Sequence, residues 1–186
     1  MAEIQRRAFV KGAALGAFAF TVGGSTVMLT PARARAENVP FRLLNRAEAD
    51  AIEAVGDTLV PGARAAGIAH FIDQQTACPP EEALLALRIA NGRPPYINFY
   101  RVALKAIDGA SSKAFGKTFA ALAAADQRSV VDAMRTNKAE AWQGPPGPFV
   151  YNIFRSDAVD VVYGTMEGYE ALGVPYMPHI APDKRW

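Results

Sequence analysis

The sequence predicts an all-α fold for residues 37–186, a single compact helical domain with an irregular Pro/Gly/aromatic C-terminal tail that packs on a partner. Three observations predict it. Apolar residues recur at three- and four-residue spacing along most of this stretch, as one buried face of a helix requires. No run of alternating β-branched residues reads as a strand, and no period marks a repeat array. Clusters of Pro and Gly at Val60-Pro61-Gly62, Cys78-Pro79-Pro80, Asn91 to Pro95 and Gln143 to Pro148 fall between the periodic stretches, where helices must stop.

Residues 1–36 read as a separate targeting segment. Arg6-Arg7-Ala8-Phe9-Val10-Lys11 matches the twin-arginine export pattern, with Arg6, Arg7, Phe9 and Lys11 as its signature. An uncharged stretch follows from Gly12 to Leu29, and Ala34-Arg35-Ala36 then supplies a small-x-small cleavage site before Glu37. A basic start, an apolar middle and a small-residue end are the marks of a targeting peptide. The stretch is near the lower length limit for a membrane span. Gly12, Gly16, Gly23 and Gly24 disfavour a permanent helix there. The expectation is export through the twin-arginine translocase, which carries folded cargo. Retention as an uncleaved anchor is the alternative reading. Cargo folded before export acquires a cofactor or a partner in the cytoplasm, so the chain should bind one or leave with a protein that does.

Charge divides along the same line. The whole chain carries +2, with a pI of about 8.8. Five basic residues and one acid lie in residues 1–36, which leaves 15 basic and 17 acidic residues beyond them. The basic pI therefore belongs to the leader, and the remainder gives no electrostatic reason to bind nucleic acid. Roughly 150 residues suffice for one domain with a core of its own. The single cysteine, Cys78, excludes an internal disulfide. It reads as a buried thiol or as a link to a partner chain.

The helical elements follow in order. Residues 38–44 form a lead-in. Asn45 with Glu48 three places on resembles a capping box, and Ala51, Ile52, Val55 and Leu59 share the face of the helix it opens. Ile68, Phe71 and Ile72 mark a second, short helix. Pro80, with Glu81 and Glu82 after it, suits the first turn of a third, whose apolar side is Leu84, Leu85, Leu87 and Ile89. Tyr96, Phe99, Tyr100, Ala103, Leu104 and Ile107 define a fourth, and Phe115 and Phe119 belong to a short connection. Asp126 to Met134 is a fifth helix, with Val130, Val131 and Met134 inward. Phe149 to Val162 is a sixth, with Phe149, Ile153, Val159 and Val162 as core positions. From Gly164 to Trp186 helical periodicity fades. Tyr169, Leu172, Val174, Tyr176, Met177, Ile180 and Trp186 make this tail too apolar for solvent. Aromatic and Met residues concentrate at interface centres, so Tyr163, Tyr169, Leu172, Val174, Pro175, Tyr176, Met177, Pro178, His179 and Trp186 are the candidate partner contacts.

The search for chemistry is mostly negative. The chain has no dinucleotide fingerprint or P-loop, no haem-attachment motif and no nucleophile elbow; one Cys holds no iron–sulfur cluster. His70 and His179 are the only histidines. His70 and Asp73, at i and i+3 on a helix, form either a ligand pair or acid–base dyad, or a local helix contact. Asp157 and Asp160, also at i and i+3, read as a solvated face. No catalytic, cofactor-binding or metal-binding residue is assigned.

Several segments together resemble a known family. Ala54-Val55-Gly56-Asp57-Thr58-Leu59-Val60-Pro61-Gly62-Ala63, then Gly67-Ile68-Ala69-His70-Phe71-Ile72-Asp73, then Phe119 with Asp126-Gln127, and finally Tyr163-Gly164 with Leu172-Gly173-Val174-Pro175 are similar to the gluconate 2-dehydrogenase subunit 3 family, as is the twin-arginine start. The typical ending of that family carries a Gly-Gly-Asn run and a Trp after the Tyr-Gly, where this chain has Thr165-Met166-Glu167-Gly168-Tyr169. Its Gly-Val-Pro-Tyr-Met-Pro-His ending is closer to small subunits of related sugar and glycoside dehydrogenases. The resemblance implies a non-catalytic small (gamma) subunit of a periplasmic complex associated with the inner membrane. The large subunit would be an FAD-dependent, GMC-like dehydrogenase that leaves on the small subunit's export signal, with a cytochrome c subunit as a further possible partner. It implies FAD in the partner and no cofactor in this chain. Two other classes stay open beside it: a stand-alone periplasmic enzyme or metal-binding protein using His70, Asp73 and His179, and a free-standing helical ligand-binding protein.

Overall fold

The computed structural model describes residues 17–175. Beyond a short β-hairpin, the described chain is helical: α1 (Pro31–Ala36), α2 (Arg46–Leu59), α3 (Ile68–Ala77), α4 (Ala86–Ile89), α5 (Ile97–Phe115), α6 (Ala124–Arg135), α7 (Gly147–Tyr163) and α8 (Met166–Ala171), with a 3-10 turn at Phe119–Ala121. The expected all-α domain is what forms. Among the described residues no helix is long and apolar enough to cross a membrane.

The centre of the domain is α2. Asn45 opens it with a complete capping box. Its side chain accepts from the Glu48 amide at 2.9 Å, and Glu48 accepts from the Asn45 amide at 2.8 Å. Residues 51–56 are buried on every side, because α3, α6, α7 and the 3-10 turn all pack on this helix. One continuous core results, with Ile52, Ile72, Tyr100, Ile107, Phe119, Val150 and Phe154 among its fully enclosed side chains. Each such burial stabilises by about 1.5–3 kcal/mol.

Three features differ from the sequence reading. The first is an element in residues 1–36, ahead of the stretch read as all-α. Phe18–Val22 (β1) and Ser25–Leu29 (β2) form an antiparallel hairpin, with Phe18 opposite Leu29 and Val22 opposite Ser25. Gly23 and Gly24 make its turn at φ +55° and +81°, the left-handed pair that a two-residue hairpin loop needs. Residues 18–29 of the apolar stretch that reads as a targeting run thus fold as two strands.

The second is the helix expected from Pro80. Only Ala86–Ile89 is helical. The Leu84 amide donates to Gln75 Oε1 at 2.6 Å and the Ala86 amide to Asp157 Oδ1 at 2.9 Å. Distant side chains satisfy the donors that a longer helix would have satisfied, so Leu85 and Leu87 are buried while Leu84 and Ile89 face out. The third is the phase of α7. Its inward face runs Val150, Ile153, Phe154, Asp157, Ala158 and Val161, and Phe149, Val159 and Val162 flank it half-buried.

Elsewhere the connections differ in detail. Phe115 closes α5, and Phe119 sits wholly buried in the 3-10 turn, its amide held by Asp108 Oδ1 at 2.8 Å.

Candidate partner-binding surface

The buried polar groups come first, because they would do any chemistry. Asp73, on α3, accepts three backbone amides: Arg42 at 2.8 Å, Leu43 at 2.9 Å and Leu44 at 2.9 Å. Both carboxylate oxygens are thereby occupied in fastening the lead-in to α3. His70 lies one turn earlier, and its Nε2 is 3.0 Å from the Val39 carbonyl. A carbonyl only accepts, so Nε2 carries the proton and Nδ1 the lone pair. Nδ1 is buried without a partner, beside a cavity of about 200 Å³ lined by Arg35, Phe41 and Glu53. Burial holds the His70 pKa below the usual histidine range, against the raising effect of the Val39 carbonyl, so the ring is neutral at neutral pH. No hydrogen bond joins His70 to Asp73 in this arrangement: each holds a different stretch of the lead-in. Among the described residues no three His, Cys, Asp or Glu side chains are grouped closely enough to hold a metal.

Asp157 corrects the expectation of a solvated acidic face. It is wholly buried on α7, accepting from Tyr100 Oη at 2.6 Å and from the Ala86 amide. Burial pushes its carboxyl up to about 7, against the lowering effect of both hydrogen bonds. Tyr100 is raised well above its ordinary value by the same burial, so its hydroxyl remains the donor. This pair joins α5, α7 and the start of α4. Glu53, 6% exposed, accepts from Arg35 Nε at 2.8 Å and Nη2 at 3.3 Å, with Arg64 Nη1 at 3.5 Å.

The segments that carry the family resemblance meet in space and hold the fold. Asp57 Oδ1 accepts the amides of Gly62 (3.1 Å) and Arg64 (3.2 Å), closing the turn after α2. Thr58 Oγ1 is 3.3 Å from Gln127 Oε1, and Gln127 Nε2 donates to the Phe119 carbonyl at 3.1 Å. Cys78 is half-buried, its thiol donating to the Gln75 carbonyl at 3.2 Å. Burial pushes that thiol up, so it stays protonated at neutral pH.

The surface is more suggestive. Between the hairpin, α3 and the end of α7 runs a groove of about 680 Å³, lined by Phe18, Met28, Phe71, Cys78 and Leu84 among others. A second hollow of about 390 Å³ lies between α1 and α8, lined by Pro31, Ala66, Val162, Tyr163 and Ala171. Gly164 borders the first and Thr165 the second, so the start of the C-terminal segment passes between them. Of the expected contact residues, Tyr163 is half-buried on the core and Tyr169 half-buried on α8. Leu172 and Val174 are 57% and 48% exposed, and Pro175 is exposed. The structure therefore leaves Leu172, Val174 and Pro175 on the surface, while Tyr163 packs half-buried against the core and lines the second hollow. The short helix α8, capped by Thr165 at the Gly168 amide (3.0 Å), replaces the expected irregular start of the tail. Tyr176, Met177, Pro178, His179 and Trp186 lie outside the described residues, as do Arg6, Arg7, Phe9 and Lys11. Sequence reasoning missed Phe18, Met28 and Leu84 as groove residues. The hairpin signal, two five-residue runs around Gly23-Gly24, would have found the first two.

Fold and surface together describe a helical domain whose buried polar groups serve its architecture and whose C-terminal segment leaves Leu172 and Val174 exposed. Residues 46–179 match the model of the family described as gluconate 2-dehydrogenase subunit 3, and the chain belongs to that family. No curated protein and no solved structure matches the chain.

Proposed function

We propose that this chain is the non-catalytic small subunit of a periplasmic FAD-dependent sugar or glycoside dehydrogenase, supplying the twin-arginine export signal and stabilising the flavoprotein. Family membership carries the reading. It is supported by the disposition of the buried polar side chains, since Asp73 and Asp157 are occupied by the chain's own backbone or hydroxyl donors. Leu172, Val174 and Pro175 then form part of the contact with the large subunit, continued by the residues from Tyr176 to Trp186. FAD belongs to the large subunit, and a cytochrome c subunit receives its electrons. A partner that binds only the folded state raises its apparent stability by mass action, which is the stabilising role. Flavin uptake before export accounts for the choice of a folded-cargo pathway, and the complex sits at the periplasmic face of the inner membrane.

The test is a pull-down of the tagged chain from periplasmic extract, followed by an absorbance scan. A flavin spectrum with a second chain is the expected result; a colourless, well-folded monomer overturns the proposal. Changing Arg6 and Arg7 to Lys together should hold both chains, and the dehydrogenase activity, in the cytoplasm. Activity that still reached the periplasm would remove the export role while leaving the subunit role standing.

A further inference from the structure

The expected cleavage site does not lie on an open linker. Ala34 is wholly buried in a small core with Phe20, Leu29 and Val39, to which Phe18 and Val27 add their sides. Its amide donates to the Thr30 carbonyl at 2.9 Å, and its own carbonyl accepts the Val39 amide at 2.9 Å. Arg35 is held by Glu53, and Arg33 Nε by Glu37 at 2.7 Å. Thr30 and Pro31 start α1 with a side-chain cap and a proline at the first turn. A protease that reads small residues at alternate positions binds its substrate as an extended strand, because only that conformation presents backbone groups and alternate side chains together. The helix over Ala34-Arg35-Ala36 withholds both.

The seat of this arm is made from residues of the family-like segment itself. Phe18 packs edge-on against Phe71 with ring centroids 5.7 Å apart, and Phe20 lies 6.5 Å from the His70 ring. Gly67 sits at φ +82°, where a Cβ would collide with the Pro31 carbonyl. The backbone of α3 approaches α1 closely enough that only glycine fits. Cutting after Ala36 would detach from the chain the nearer of the two arginines that hold the buried Glu53 and the strand that covers Phe71.

We propose that the hairpin and α1 stay with the folded subunit after export, because the docked arm closes the Ala34-Arg35-Ala36 site to signal peptidase. This rests on the export reading given above. Residues 18–36 are then a structural wall of the mature domain, and any processing occurs upstream of Phe18 or not at all.

Two measurements test it. The first is the intact mass of the small subunit in the complex isolated from the periplasm. A chain beginning upstream of Phe18 is expected, and one beginning at Glu37 overturns the proposal. The second is the rate at which signal peptidase in detergent micelles cuts the purified full-length chain after Ala36, compared with Phe20→Asp. That substitution places a charge in the arm's small core and leaves the site's own residues unchanged. Cleavage of the open form tracks its population, so the variant should be cut roughly tenfold faster or more. Equal rates, with the wild type fully cut, would show that the site is open and sink the idea. A chain found only in the cytoplasm would defeat the export reading and with it retention after export; the two rates would still decide whether the arm closes the site.

Discussion

The N-terminal arm and the C-terminal segment flank the same helical domain and are similarly apolar, yet they meet it differently. The arm and the lead-in that continues it to Leu44 are fastened by side chains: Glu53 holds Arg35 of the arm, and His70 and Asp73 hold Val39 and the amides of residues 42–44 of the lead-in. The arm's apolar residues Phe20, Leu29 and Ala34 are buried. The C-terminal segment has a capped six-residue helix, and then Leu172 and Val174 stand about half exposed. Apolar content alone does not separate a wall of the domain from a surface for another chain. The difference lies in whether the domain supplies partners for the segment's backbone and a seat for its side chains.

Four changes would break or sharpen that contrast. The largest effect is expected for Asp73→Ala. Three amides lose their acceptor, of which that of Leu44 is buried, and a buried donor left unpaired costs about 1–3 kcal/mol. A loss of roughly 4 kcal/mol in denaturant unfolding is expected, with the amides of residues 42–44 released first in hydrogen exchange; a loss under about 1 kcal/mol would mean that the lead-in is not fastened as described.

Asp157→Ala comes next, at about 3 kcal/mol, because Tyr100 Oη and the Ala86 amide lose their acceptor inside the core. Asp157→Asn retains an acceptor and isolates the charge. The folded carboxyl titrates at about 7, above the ordinary unfolded value of about 3.9. A raised folded pKa contributes stability that is fully present below the unfolded value and lost as pH rises through the folded one. The wild type should therefore lose stability relative to Asp157→Asn as pH rises from about 4 to 7. Parallel stability curves over that window would show that the carboxyl is not raised.

Gly67→Ala follows, loosening the docking of α1 by about 2 kcal/mol through strain at positive φ and collision with the Pro31 carbonyl. Proteolysis at Arg33 and Arg35 should accelerate in this variant while the melting of the helical core changes little. The smallest effect on stability belongs to the C-terminal side. Leu172→Asp with Val174→Asp should leave unfolding within about 0.5 kcal/mol of wild type, as exposed sites do. Co-purification of the large subunit should fall roughly tenfold, the cost of losing about 1.4 kcal/mol at an interface. Unaltered capture would remove these two residues from the contact.

Much of the fold was legible in the sequence. The Asn45–Glu48 box, the Ile68–Phe71–Ile72 spacing and the Tyr100–Leu104–Ile107 face appear as helices because local hydrogen bonding and periodicity suffice to specify them. The hairpin was equally local, since Gly23-Gly24 between two apolar runs is a turn signal. It was obscured because the same composition satisfies the pattern of a targeting peptide. The stretch after Pro80 misled for the opposite reason. Its turn is fixed by Gln75 and Asp157, 9 and 71 residues away along the chain, which no local window contains.

Of the candidate site, only the exposure of Leu172, Val174 and Pro175 follows the sequence reading; their contact with a partner is the proposal made above. The roles of His70, Asp73 and Asp157 were not readable in the sequence. Spacing puts His70 and Asp73 on one helix, but only packing decides that each faces a different carbonyl or amide of the lead-in. The i and i+3 pair at Asp157 and Asp160 suggests solvent, but α7 turns one of them into the core against Tyr100.

By itself the sequence determined the helical class, the main helix stops, the absence of an internal disulfide and the family-like order of motifs, because these depend on residue type and on spacing within a few turns. Only the tertiary structure decided that residues 18–36 pack against the helices, that Asp73 and Asp157 are fasteners, and that Leu172 and Val174 stand exposed after α8. Those outcomes depend on which distant groups share a buried space, where a carboxylate must find donors or stay protonated.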